Sequence, residues 1–157
     1  MKKYSLLIVL LMLMSFGICY SQTQTLTLIV PAAQTMTFSA TTATITLTTL
    51  TAGSDFTPVS STGITYSISH NSATTKKITA GIDVAMPVGT TLTTNLQSGK
   101  GISLNAVDIS NATVAVDVVT GIAKGADNNK TLTYVFSALA TVSPVTLTKT
   151  ITYTVTN

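Results

Sequence analysis

Threonine occupies every even position from Thr146 to Thr156, and the odd positions from Val145 to Val155 are apolar except Lys149. A period of two sends these sets to opposite faces of an extended chain, one aliphatic and one hydroxylated. β-Branched Thr, Val and Ile fit a pleated surface with little loss of side-chain freedom, so Val145–Asn157 is predicted to be a half-buried strand. The same rhythm recurs upstream. Leu26, Leu28 and Val30 share one face of Thr25–Val30, which Pro31 closes because it cannot donate to a ladder. Met36 and Phe38 share a face of Thr35–Ser39, and in Ala43–Leu50 Ile45 and Leu47 stand opposite Thr44, Thr46 and Thr48. Ile64, Tyr66 and Ile68 are predicted inward in Gly63–Ser69, as are Ile78, Ala80, Ile82 and Val84 in Lys76–Val84. A polar turn at His70-Asn71-Ser72 would join these two runs as a hairpin.

Turn formers make Thr51–Pro58 a loop, Pro87-Val88-Gly89 a turn before a strand over Thr90–Leu96, and Gln97–Gly101 another loop. Ile102–Ile109 is weakly patterned. Val114, Val116 and Val118 form an inward stripe ended at Gly121, and Ala123–Lys130 reads as a loop, with room for a short helical turn over Val119–Ala126. Thr131–Ser137 sends Leu132, Tyr134 and Phe136 inward, and Ser143-Pro144 precedes the last strand. No window after residue 21 combines a helical period with caps. Roughly eight to ten short strands, punctuated every eight to twelve residues or so, describe an all-β sandwich or barrel. The aliphatic inward positions suit two sheets packed face to face. The expected fold is an immunoglobulin-like two-sheet antiparallel sandwich, without the Cys…Trp…Cys signature of antibody domains and without an internal repeat.

Residues 1–21 are expected to be a secretory signal peptide rather than part of this domain, leaving residues 22–157 as a single β-sandwich domain. Lys2 and Lys3 form a positive start, Leu6–Ile18 is apolar, and Cys19 and Ser21 place small residues three and one before Gln22. The competing reading is a lipoprotein leader acylated at Cys19, for which Phe16 and Ile18 are poorly suited. If Cys19 leaves with the leader, no disulfide, zinc–thiolate site or thiol nucleophile remains.

The formal charge of +3 depends on that leader. Beyond it six lysines face five aspartates, a net of +1, with no Arg or Glu. Only Lys76 and Lys77 are adjacent, so there is no clustered cationic patch for a nucleic acid. Threonine accounts for 33 of 157 residues, so hydroxyls rather than charges carry the solvent face.

Catalytic equipment is sparse. His70 is the only histidine and reads as a turn residue rather than a base or metal ligand. Asp55, Asp83, Asp108, Asp117 and Asp127 are scattered, with no pair at a telling spacing for glycoside hydrolysis. Asp127-Asn128-Asn129 carries oxygen ligands of the kind Ca²⁺ takes, but the later bidentate Glu is absent, and these are ordinary turn residues. Gly99-Lys100-Gly101 lacks the spacing of a phosphate loop. The sequons Asn111-Ala112-Thr113 and Asn129-Lys130-Thr131 arise readily by chance in a Thr-rich chain. Trp is absent, and Tyr66, Tyr134 and Tyr153 fall on the apolar faces of their strands, which reads as core rather than as a sugar-binding platform.

The runs Lys76-Lys77-Ile78-Thr79-Ala80, Met86-Pro87-Val88-Gly89-Thr90-Thr91-Leu92, Val118-Val119-Thr120-Gly121-Ile122 and Leu132-Thr133-Tyr134 carry a resemblance. The chain beyond the leader resembles small exported bacterial proteins with an immunoglobulin-like sandwich and no assigned activity. In architecture alone it is also similar to pilin subunits of chaperone–usher and related fimbrial systems. That likeness implies an N-terminal extension completing a neighbour's sandwich and a strand at or near the carboxyl terminus. The chain departs from many such subunits in lacking a mature disulfide. Neither resemblance brings an active site.

The expected function is therefore a secreted, non-catalytic structural or cell-surface protein, a self-assembling pilin-like subunit using its N-terminal strand. The alternative is an adhesin or carbohydrate-binding module displaying a ligand on loops such as Gly53–Pro58 or Gly121–Lys130. No catalytic, cofactor or metal residue is expected, no nucleic acid partner, and no membrane span after leader cleavage. The expected partners are the chain's own terminal strands or a surface or matrix component, in the periplasm, at the cell surface or outside the cell.

Overall fold

The computed structural model describes residues 22–157. The expected leader, with Cys19, lies outside the described residues. The chain divides at Val30, and the two parts are separate units. Gln22–Val30 contains no strand, and Leu26, Leu28, Ile29 and Val30 are 75 to 85% exposed. The strand expected over Thr25–Val30 is therefore not formed: alternation prepares a segment to pair, but a strand exists only where a second backbone supplies the ladder.

In Pro31–Asn157 that requirement is met by ten strands in two antiparallel sheets, a β-sandwich. They are β1 (Gln34–Phe38), β2 (Val59–Ser60), β3 (Ile64–His70), β4 (Lys76–Ile82), β5 (Thr90–Leu96), β6 (Ile102–Ser103), β7 (Val107–Asp108), β8 (Val116–Ile122), β9 (Gly125–Ala138) and β10 (Ile151–Thr156). One sheet has the order β1-β3-β9-β5-β7, with β2 also on β9; the other has β10-β4-β8-β6. Their inner faces bury Ile64, Tyr66 and Ile68 of β3, Ile78, Ala80 and Ile82 of β4, Leu92 and Leu96 of β5, and Val118, Val119 and Ile122 of β8. These are mainly the positions that the two-residue period selects.

Several expectations are corrected where pairing shifts. His70 is not a turn residue. It closes β3, pairs with Gln34 and Gly125, and is buried on the face of Ile64, Tyr66 and Ile68. Val84 and Val114, expected inward, are 61 and 82% exposed. The ladder of β4 ends at Ile82, where Asp83 turns to accept the Val84 N–H at 2.8 Å; β8 begins only at Val116. Nor does Gly121 end β8, which runs to Ile122. Adjacent Val118 and Val119 are both buried because the register against β4 slips between Ile78↔Val119 and Thr79↔Asp117, a bulge that turns an extra side chain inward.

The supposed loop Ala123–Lys130 is largely strand, and no helical turn forms at Val119–Ala126. Its turn-forming residues build a second bulge. Tyr66 faces Lys130 and Ile68 faces Asp127, so Ser67 stands against both Asn128 and Asn129. Asn129 adopts φ +52° and donates its N–H to Ser67 Oγ at 3.1 Å. Asn tolerates this left-handed region better than most residues.

Gly101 marks a close approach. A Cβ there would stand 2.8 Å from both Ile122 Cγ1 and the Thr120 carbonyl oxygen. Gly101→Ala is expected to destabilise the sandwich by about 1–3 kcal/mol through overpacking, read as a lower urea midpoint at unchanged slope.

Candidate functional site

Two segments expected as strands, Ala43–Leu50 and Val145–Asn157, are unpaired over most of the first and the start of the second. Thr41–Thr48 follows β1, and Ser143–Thr150 leads into β10, which shortens the predicted C-terminal strand to Ile151–Thr156. Among the described residues, no backbone–backbone hydrogen bond reaches Thr41–Thr48 or Ser143–Lys149; the nearest are the Thr57 N–H to Thr49 O bond and the Asp83 N–H to Thr150 O bond, both at 3.0 Å. β1 pairs with β3 and β10 with β4, and β3 and β4, though joined by the short link Asn71–Thr75, lie in different sheets and do not form the expected hairpin.

Between the two unpaired segments lies an open groove of about 1090 Å³. Leu92 of β5 and Leu132, Tyr134 and Phe136 of β9 form its floor, and Ile45, Leu47 and Leu147 line its walls. Tyr134 and Phe136 are only partly buried. Of the lining residues only Lys149 is charged, and its Nζ donates to the Val84 and Ala85 carbonyls at 3.0 and 2.9 Å. At the base, Tyr153 OH and Thr94 Oγ1 share a hydrogen bond of 2.7 Å. Burial pushes the Tyr153 and Tyr134 phenols upward, so both hydroxyls stay neutral hydrogen-bonding groups. No His or carboxylate lines the groove.

The residues singled out in the sequence lie elsewhere. His70 Nε2 is 3.3 Å from the Ile122 carbonyl oxygen, and Nδ1 has no hydrogen-bond partner among the described residues. The aspartates are separately engaged. Asp55 accepts the Ala140 N–H at 2.9 Å, Asp83 that of Val84, and Asp108 that of Ser110 at 2.8 Å; Asp117 pairs with Lys77 at 2.9 Å. Asp127, only 5% exposed, accepts from Ser98 Oγ at 2.9 Å and Gly99 N–H at 2.7 Å and pairs with Lys130 at 3.1 Å. It thus binds the Gln97–Gly101 loop to β9, and Asp127-Asn128-Asn129 forms a bulge rather than a turn. Among the described residues no three His, Cys, Asp or Glu side chains gather as a metal site, and no helix is long and apolar enough to cross a membrane.

Of the two loops considered for ligand display, Gly53–Pro58 is irregular, whereas Gly121–Lys130 belongs mostly to β8 and β9. Tyr66 is fully buried. The groove itself was missed in the sequence. Set against protein-family models and curated proteins, the sequence matches none.

Proposed function

We propose that the protein is an exported, non-catalytic structural subunit with an immunoglobulin-like sandwich, and that it self-associates by adding its Thr25–Val30 segment to the groove of a second copy. One observation carries this reading. The sandwich has two unpaired backbones flanking an apolar groove, and the same chain has an unpaired segment whose alternation matches that groove. An added strand gains main-chain hydrogen bonds along its length, and pockets for alternate side chains give it register. Leu26, Leu28 and Val30 would pack on the partly exposed Ile45, Leu47 and Phe136, and burying each contributes about 2 kcal/mol before association costs. Weakly charged Thr-rich strands with open edges are also prone to indiscriminate pairing, which a defined partner would prevent.

Removal of Gln22–Val30 tests the reading. The truncated protein is expected to stay monomeric in sedimentation velocity while the intact exported protein forms higher species. A peptide spanning Gln22–Pro31 should bind the truncated protein saturably, and the same peptide with Leu26→Asp and Leu28→Asp should bind at least about a hundredfold more weakly. Assembly of the truncated protein to the same extent as the intact one would refute it.

A further inference from the structure

We infer that β10 is an interaction edge whose partner is β10 of a second copy of this chain, joined antiparallel about a two-fold axis at Tyr153. Among the strands that end the two sheets, β6 and β7 are two residues long, too short to template another strand, whereas β1 and β10 have five and six. Among the described residues β10 has β4 as its one neighbour, so its other side is open. The phase of the ladder fixes what that side presents. The Asp83 N–H reaches the Thr150 carbonyl at 3.0 Å, one step before the pair Ile151↔Ile82. Such exchanges recur at every second residue of an antiparallel ladder, so Thr152, Thr154 and Thr156 turn their backbone groups to β4. Ile151, Tyr153 and Val155 turn theirs outward. In keeping with this, the Val155 carbonyl accepts the Gln34 Nε2 from the outer side at 3.1 Å, which leaves it a second lone pair.

The residues of this edge choose the occupant. Thr150-Ile151-Thr152-Tyr153-Thr154-Val155-Thr156 reads the same in both directions apart from the exchange of Ile for Val. Antiparallel pairing about Tyr153 therefore sets Ile151 against Val155 and Tyr153 against its own copy, and the outward-turned residues exchange about six main-chain bonds. Thr152 meets Thr154 of the second copy on the exposed outer face, a favourable cross-strand pair. No charge lies within 150–156 to repel a like strand, and the flanking lysines are engaged elsewhere. Lys149 Nζ donates to the Val84 and Ala85 carbonyls at 3.0 and 2.9 Å, and Lys76 Nζ donates to Asn157 Oδ1. β1 lacks this symmetry, because the same operation about Met36 would set Gln34 against Phe38. The contact is isologous, unlike strand addition through the groove, and does not depend on it. One such edge is weak, since the net gain from main-chain bonds only modestly exceeds the cost of association. It dissociates at the dilution of a sedimentation run, whereas a disulfide across it accumulates.

The experiment oxidises intact exported protein carrying Thr152→Cys or Thr154→Cys, each alone and the two mixed, with Cys19→Ser so that the introduced thiol is the only one. Both positions are exposed, so an unchanged melting temperature checks that the fold is kept. In the inferred register, residues 152 and 154 of opposite copies form a non-hydrogen-bonded pair with Cα atoms about 4.5 Å apart, within disulfide reach. Like residues stand about 8 Å apart, beyond it. The mixture is therefore expected to give the 152–154 disulfide in at least about fivefold excess over chance pairing of the thiols. A parallel control, Thr35→Cys mixed with Thr37→Cys on β1, is expected to show no excess. Chance proportions of the three disulfides, a preference for like residues as in parallel stacking, or an excess confined to β1 would each overturn the inference. Strand addition is read separately, from the assembly of intact against truncated protein. Higher species without the 152–154 excess sink the β10 pairing alone, and the excess without higher species sinks strand addition alone.

Discussion

Replacing Asp127 by alanine is expected to destabilise the sandwich by about 3 kcal/mol, measured as a fall in the urea midpoint at constant slope. The carboxylate is almost completely buried, and its removal leaves the Gly99 N–H, the Ser98 hydroxyl and the Lys130 ammonium without their acceptor. Burial by itself raises the carboxyl pKa, but the Gly99 N–H, Lys130 and Ser98 outweigh it, and the net shift is downward. A lowered folded pKa means that the unfolded chain takes up the proton first. The contribution of Asp127 is therefore present above the ordinary carboxylate value of about 3.9 and is lost as pH falls from there through the folded value. Asp127→Asn should remove that part of the acid sensitivity, so the two stability–pH curves converge as pH falls from the ordinary carboxylate value through the lowered folded one. Parallel curves would show that the carboxylate is not held as its contacts indicate.

Tyr66→Ala is expected to have the largest effect of any single substitution, about 4 kcal/mol. The ring is fully buried at the centre of β3, its centroid 6.2 Å from that of Phe38, and its hydroxyl donates to the Gln97 carbonyl at 2.7 Å. One side chain thus joins β1, β3 and the loop that Asp127 holds. Tyr66→Phe retains the packing and loses only the hydroxyl, so it should cost about 1 kcal/mol. Burial, then the charge of Asp127, push the Tyr66 phenol up to about 12, against a smaller opposing hydrogen bond from Ser98. A raised folded pKa contributes stability that is whole below the ordinary phenol value of about 10 and is lost between there and about 12. Alkaline unfolding followed by circular dichroism should begin at higher pH in Tyr66→Phe than in the parent protein. Tyr134 and Tyr153, also shifted upward by burial, would supply what remains of the transition in that variant.

The particular residues show how far the sequence could be read. Ile64, Tyr66, Ile68, Ile78, Ala80, Ile82 and Leu132 went inward as the alternation required. His70 was legible too: position 70 continues the 64–66–68 face, and only its turn-forming neighbours Asn71 and Ser72 argued otherwise. Asn128 and Asn129 were beyond reach, because a bulge and a turn draw on the same residue types for the same φ > 0 geometry. Asp127 could not be placed either; its partners Ser98 and Gly99 lie 29 and 28 residues away and meet it only after β9 pairs with β5.

By itself, the order of residues determined that this chain forms sheets, which side of most strands faces the interior, and that hydroxyls cover much of the remainder. All three depend on side-chain size, branching and a period of two, which each segment carries locally. Tertiary structure alone decided which alternating segments become strands. Lys76–Ile82 and Ile151–Thr156 find one another, whereas Thr25–Val30, Thr41–Thr48 and Ser143–Lys149 carry the same pattern without a ladder among the described residues. A ladder needs a second chain at about 4.8 Å, and nothing within a single segment encodes whether the fold will bring one there.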